Sequence, residues 1–156
     1  MAFITNGTIG RKLTDTETTP ADTVGNVVST TDGQWMFVRA AEAITQYDYV
    51  CVDETNHARR GTKGGVDDGH IIATAQNAIA ASAYGYVKLT GSDGNVRVRA
   101  SCAADVPLYT TASAGILDDT STTQTKVDGI VIVAAQTSAS AGNKEAIMTW
   151  PKSTTF

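Results

Sequence analysis

Tyr84-Gly85-Tyr86-Val87-Lys88-Leu89-Thr90-Gly91-Ser92-Asp93-Gly94-Asn95-Val96-Arg97-Val98-Arg99-Ala100 is the stretch on which the fold class turns. Val87 and Leu89, then Val96, Val98 and Ala100, share one parity, while Lys88, Arg97 and Arg99 take the other. Period-two alternation marks strands with one buried and one wet face. Between the runs, Ser92-Asp93-Gly94-Asn95 has turn chemistry, because Gly and Asn tolerate the positive φ of tight connections. A hairpin is therefore predicted, its flanks paired as neighbours.

The same texture continues outward. Short β-rich runs at 35–39, 47–53, 70–75, 84–90, 95–101, 108–111, 129–135 and 145–150 are separated by turn residues, the pattern of a sandwich or barrel. Ile130-Val131-Ile132-Val133 does not alternate. It is predicted to be a central strand with both faces covered, by the opposite barrel wall and by a loop, arm or neighbouring subunit. The two halves also echo each other. The nine residues from Asp68 to Gln76 overlay without gaps on those from Asp128 to Gln136, and Asp48-Tyr49-Val50-Cys51-Val52 answers Asp105-Val106-Pro107-Leu108-Tyr109. Two such units suit a pseudo-duplicated, closed or nearly closed barrel that leaves few strand edges.

Composition agrees with an all-β fold, a small antiparallel β-barrel or sandwich. The 156 residues are 42% hydrophobic and 18% charged, include 14 Gly, and are rich in Thr, Ala and Ser, a mixture that favours strands and turns. One core is expected at this length. Residues 1–33 read as an extended N-terminal arm, rich in Thr, Asp and Gly, with scattered apolar Phe3, Ile4, Ile9 and Leu13 and a short stretch at 24–28 that includes Val24 and Val27. Such a segment cannot nucleate a core alone. It either caps its own barrel, with 24–28 as an edge strand, or runs along a partner. The barrel domain is placed at 34–151 and a short tail at 152–156.

A net charge of −4 provides no broad positive field for phosphates, so nucleic acid is not an expected partner. The longest apolar run, 130–135, is too short to cross a bilayer, and the first residues lack the apolar core of a signal peptide. A soluble product made in the cytoplasm, with no membrane partner, is expected.

Residues that could carry chemistry have structural readings. Cys51 and Cys102 lie in apolar surroundings and read as buried thiols. His57 sits in a polar loop and His70 opens an apolar strand, neither at metal-ligand spacing. The doublets Asp67-Asp68 and Asp118-Asp119 lack the acidic ladder of a calcium loop and serve turns. Gly91-Ser92-Asp93-Gly94 is not a nucleophile elbow, and Gly61-Thr62-Lys63-Gly64-Gly65 is not a phosphate loop. No enzyme activity, cofactor or metal is expected. The remaining constellation is Lys88, Arg97 and Arg99 on the wet face beside Tyr84 and Tyr86, which suits an acidic protein surface or a stacked sugar.

With the strands placed, the segment from about Ala40 to Pro151 resembles phage capsid cement, or head decoration, proteins, which are Gly/Ala/Thr-rich β-barrels. The resemblance is carried by Ala81-Ser82-Ala83-Tyr84-Gly85-Tyr86-Val87, by the run from Ser101 to Asp118 and by Val127-Asp128-Gly129-Ile130-Val131. It implies a structural virion protein on the outer capsid surface, stabilising contacts between capsomers of the major capsid protein and associating with itself as a dimer or trimer. Candidate partner-binding residues are then Phe3, Ile4, Ile9, Leu13, Val24 and Val27 of the arm, with Tyr84, Tyr86, Lys88, Arg97 and Arg99. The alternative is a receptor- or glycan-binding adhesion module of a virion that uses the Tyr84/Tyr86 face.

Overall fold

The computed structural model describes residues 12–20, 22–64, 70–121 and 125–154. Among the described residues the regular structure is β throughout, eleven strands in one continuous hydrogen-bonded sheet. A short strand β1 (Val27–Thr30) forms a hairpin with β2 (Gly33–Ala40). Next come β3 (Tyr49–Val52), β4 (His57–Arg60), β5 (Ile71–Thr74) and β6 (Tyr84–Lys88). The second half holds β7 (Thr90–Val98), β8 (Leu108–Thr110), β9 (Leu117–Asp118), β10 (Lys126–Ile132) and β11 (Gly142–Thr154). The all-β barrel class read from the sequence is the fold found.

The pairings close into two circuits of the same topology. In the first, β2 runs parallel to β4 at Arg39↔His57 and Ala40↔Ala58, and the ring continues antiparallel through β3, β5 and β6 back to β2. In the second, β7 runs parallel to β9 at Val98↔Leu117, and the ring continues antiparallel through β8, β10 and β11 back to β7. Each circuit thus joins its first strand to its third, the third to the second, the second to the fourth, the fourth to the fifth and the fifth to the first. Matching turns precede matching strands. Tyr47 and Asp105 both take positive φ, 68° and 56°, and their N–H groups donate to Ala75 O and Ile132 O. These equivalent bonds set Ala75 against Ile132, three residues from the gapless overlay of the sequence. The pairing of β10 with β11 also shifts register at Gly129 (φ 84°).

One sequence reading is corrected here and a second is narrowed. Ser92-Asp93-Gly94-Asn95 does not turn. It lies within β7, paired to β11 from Thr90↔Thr149 to Val98↔Gly142, and β6 and β7 belong to different circuits. The glycines serve close approach instead: a Cβ on Gly94 would overlap Met148 Cε, and one on Gly91 would overlap Asp32 O. The segment 129–135, read as a central strand with its second face under a loop, arm or neighbouring subunit, gets no such cover from the described residues of its own chain: Val131 is 38% and Val133 41% exposed.

The doubly buried strands are β3 and β5. Val50, Val52 and Ala73 fill the first circuit with Met36, Val38, Val87 and Leu89. Their neighbours Tyr49, Cys51 and Ile72 face the other way, into the core of the second circuit with Val96, Leu108, Leu117, Ile130, Ile132 and Met148. One wall therefore serves both cores. A third cluster, Val28, Trp35, Phe37 and Tyr86, lies on the outside of the first circuit, and Leu13, Val24 and Tyr84 pack over it. The boundary placed near Gly33 falls inside the β1–β2 hairpin, so residues 27–33 are continuous with the barrel.

Candidate interaction surfaces

The described part of the N-terminal segment lies on its own barrel. Glu17 N–H donates to Tyr84 O at 3.0 Å and Tyr84 N–H to Glu17 O at 2.8 Å, pinning the chain across β6. Leu13 and Val24 pack on the third cluster, and Val27 packs against the first-circuit core. Phe3, Ile4 and Ile9 lie outside the described residues.

The aromatic and basic constellation is divided between three places. Tyr86 is buried, its ring 5.0 Å from that of Phe37 and its hydroxyl donating to Asp22 Oδ2 at 2.9 Å. Tyr84 is half-buried and stacks on Phe37 at 6.1 Å. Lys88, read as solvent-facing, is instead buried at the seam between the circuits. Its Nζ stands 5.2 Å from the centre of the Trp35 ring and 4.0 Å from Asp32 Oδ2 without a hydrogen-bond partner. Burial holds its ammonium below the ordinary lysine range, with Asp32 and then Asp93 opposing. The parity of the sequence was right, since Lys88 points away from Val87. What covers that side is the β1–β2 turn, distant in sequence, together with Gly91 and Gly94 of the adjoining β7.

Arg97 and Arg99 lie on the second circuit and face carboxylates. Arg97 Nη1 is 2.9 Å from Asp48 Oδ1, and Arg60 Nε is 2.6 Å from Asp48 Oδ2. Asp48 is fully buried, accepts the Thr45 N–H at 2.9 Å, and leaves no room for a side chain at Gly115. Arg60 Nη2 also donates to Ala114 O at 2.8 Å. One carboxylate therefore ties β4 of the first circuit to β7 and the 114–115 turn of the second. Sequence reasoning missed this hub. Its components are single charged residues, at 48, 60 and 97, without any shared motif.

Cys102, Asp118 and Asp119 bring a sulfur and two carboxylates within 4.8 Å of one another. Each has a structural use. Asp119 Oδ2 accepts Ala103 N–H at 2.9 Å, Asp118 Oδ1 accepts Asp119 N–H at 3.0 Å, and Arg99 Nη1 is 3.6 Å from Asp118 Oδ2. Burial, with Asp119 and Asp118 adding to it, pushes the Cys102 thiol up to about 11. Cys51 is buried as well. His57 opens β4, half-buried, instead of lying in a solvated loop, and Asp53 Oδ1 accepts its N–H at 2.9 Å. His70 is half-buried before β5. Asp67-Asp68 lies outside the described residues.

The outer face of β10 and β11 is the one that sequence reasoning expected a loop, arm or neighbouring subunit to cover. Val131 and Ile147 are direct cross-strand partners, 38% and 46% exposed, with Val133 at 41% and Trp150 at 49%. On the other flank of β10 a shallow groove of about 260 Å³ runs along Val106, Pro107 and Val131. Exposed apolar side chains scattered singly are ordinary, whereas four on one ladder form a contact surface. The signal was available in the unbroken apolar run at 130–133, which names a strand needing cover without saying that the cover comes from this chain. Compared with protein-family models and with curated protein sequences, the chain matches none.

Proposed function

We propose that the chain is a structural virion protein that binds the outer surface of an assembled phage capsid and stabilises contacts between capsomers of the major capsid protein. The observation that carries this reading is the exposed apolar strip on β10 and β11, set on a body whose two circuits share a core wall and a buried carboxylate. A cement protein needs a rigid block with protein-contact faces, and large apolar side chains held on a regular ladder provide one at low ordering cost. The resemblance of 40–151 to cement proteins supplies the partner.

The adhesion reading loses its residues. Tyr86 and Lys88 are buried and Tyr84 lies on Phe37, which leaves no paired aromatic platform at 84 and 86 for a sugar. The first eleven residues, with Phe3, Ile4 and Ile9, are assigned a second shell contact beside the strip, because the described part of the segment from Leu13 onward is engaged with its own barrel. Deleting residues 1–11 is expected to weaken binding to purified, protein-depleted shells while leaving the thermal transition in place. Quantitative mass spectrometry of purified particles should find the protein at copy numbers comparable to the major shell protein. A few copies per particle, or full shell occupancy by the deletion variant, would overturn this assignment.

A further inference from the structure

The equivalence of the two circuits sets their outer walls against each other residue by residue. Since Ala75 answers Ile132, Thr74 answers Val131, and their cross-strand partners Lys88 and Ile147 answer one another. In the first circuit this pair seats the second circuit. Thr74 Oγ1 donates to Met148 Sδ at 3.0 Å, and Gly91 and Gly94 lie against the Lys88 side chain. In the second circuit the same wall is open, and it carries valine and isoleucine where the covered copy carries threonine and lysine. Where this wall is covered, its cover is packed protein.

Counting three residues on from Lys88 and Ile147 brings Gly91 against Trp150. Both take positive φ, 121° and 51°. At Trp150 the topology requires it: β11 leaves β7 at Thr149↔Thr90 and joins β5 at Lys152↔Ile71, and Gly129 of β10 alone stands opposite the three residues 149–151. Glycine adopts such a backbone freely and a bulky side chain rarely does. The conformation serves the fold, but the indole does not. Among the described residues Trp150 joins none of the three apolar clusters and is 49% exposed, whereas the other tryptophan, Trp35, is buried within one. A large aromatic kept in a strained and open position, where the equivalent residue is glycine, serves a contact outside the chain.

We infer that Trp150 is the anchor of the shell contact, an indole that seats in an apolar pocket of the major capsid protein while Val131, Val133 and Ile147 exclude water around it. Tryptophan is enriched at such centres, and the contacts that surround an anchor are close to neutral in energy. The inference rests on the proposed shell binding and adds to it where the binding energy lies. It also explains why a glycine position holds a tryptophan.

Binding of the full chain to purified, protein-depleted shells, with thermal denaturation of the same variants, tests it. Trp150→Ala is expected to weaken shell binding about 100-fold and Ile147→Ala less than about fivefold. Trp150→Gly should bind as weakly as Trp150→Ala yet melt about 3 °C above it, the reverse of the order that the two residues show at an ordinary strand position. A Trp150→Ala variant within about threefold of wild type, a larger loss at Ile147 than at Trp150, or a Trp150→Gly variant no more stable than Trp150→Ala would overturn the inference and leave the proposed function standing. A wild type that does not bind shells would overturn both.

Discussion

Trp35-Met36-Phe37-Val38 and Ile130-Val131-Ile132-Val133 are both unbroken apolar runs, one in each circuit, yet the protein treats their outward-facing residues in opposite ways. In the first circuit Trp35 and Phe37 are 5% and 1% exposed under Leu13, Val24 and Tyr84. In the second, Val131 and Val133 stand bare beside Ile147 and Trp150. Inward the runs behave alike, with Met36 and Val38 in one core and Ile130 and Ile132 in the other. Topology therefore does not set the difference, since the strand circuits are equivalent. The N-terminal segment does, covering one outer face and not the other. An apolar residue on the outside of a strand records a need for cover, and its source has to be found elsewhere.

The comparison is sharpest where the circuits meet. Asp48→Ala removes the carboxylate that Arg60 and Arg97 share and leaves two part-buried guanidinium groups unpaired. A loss of about 3 kcal/mol is expected, near the lower bound for breaking a buried pair because the arginines can partly resolvate. Guanidinium denaturation should still show one transition, as the shared wall of β3 and β5 requires. Two separate transitions in the wild type would break the picture of two rings on one core.

Phe37→Ala and Ile147→Ala probe the covered and bare faces directly. The first opens a cavity among Trp35, Tyr86 and Val28 and should lower stability by about 3 kcal/mol. The second trims an exposed side chain, and in dilute solution the change should stay within about 0.5 kcal/mol. Equal losses in urea titrations would mean that the two outer faces are not differently covered.

Lys88 gives a smaller effect of opposite sign. Its Nζ is buried without a hydrogen-bond partner, so Lys88→Met should stabilise the fold by roughly 1 kcal/mol at neutral pH. Burial lowers the folded-state pKa below the unfolded one, so in the window between them the unfolded state binds more protons. Wild-type stability should therefore rise through that window, and its deficit against Lys88→Met should shrink as the pH is raised towards the ordinary lysine range. A deficit independent of pH would show that the charge is not its source.

Alternation at 84–89 and 96–98 identified strands and their inward residues, and the overlay of 68–76 on 128–136, three residues out of register, pointed to the two equivalent circuits. These are local properties with a fixed period, legible in one dimension. The misread glycines show the limit. Gly91 and Gly94 carry the same composition whether a chain turns or another segment approaches closely, and only Asp32 and Met148, distant in sequence, decide between the two. The same holds for Lys88, buried by the β1–β2 turn, and for the Asp48 hub, whose arginines sit 12 and 49 positions away. Long-range cover has no period.

The central claim is that the bare outer face of the second circuit is the contact face. Hydroxyl-radical footprinting read by mass spectrometry, on the dilute chain and on purified particles, tests it residue by residue. The account expects Ile147 and Trp150 to be readily oxidised in the dilute chain and protected on the particle, with Trp35 and Phe37 protected in both. Ile147 and Trp150 remaining as reactive on the particle as in dilute solution would contradict it.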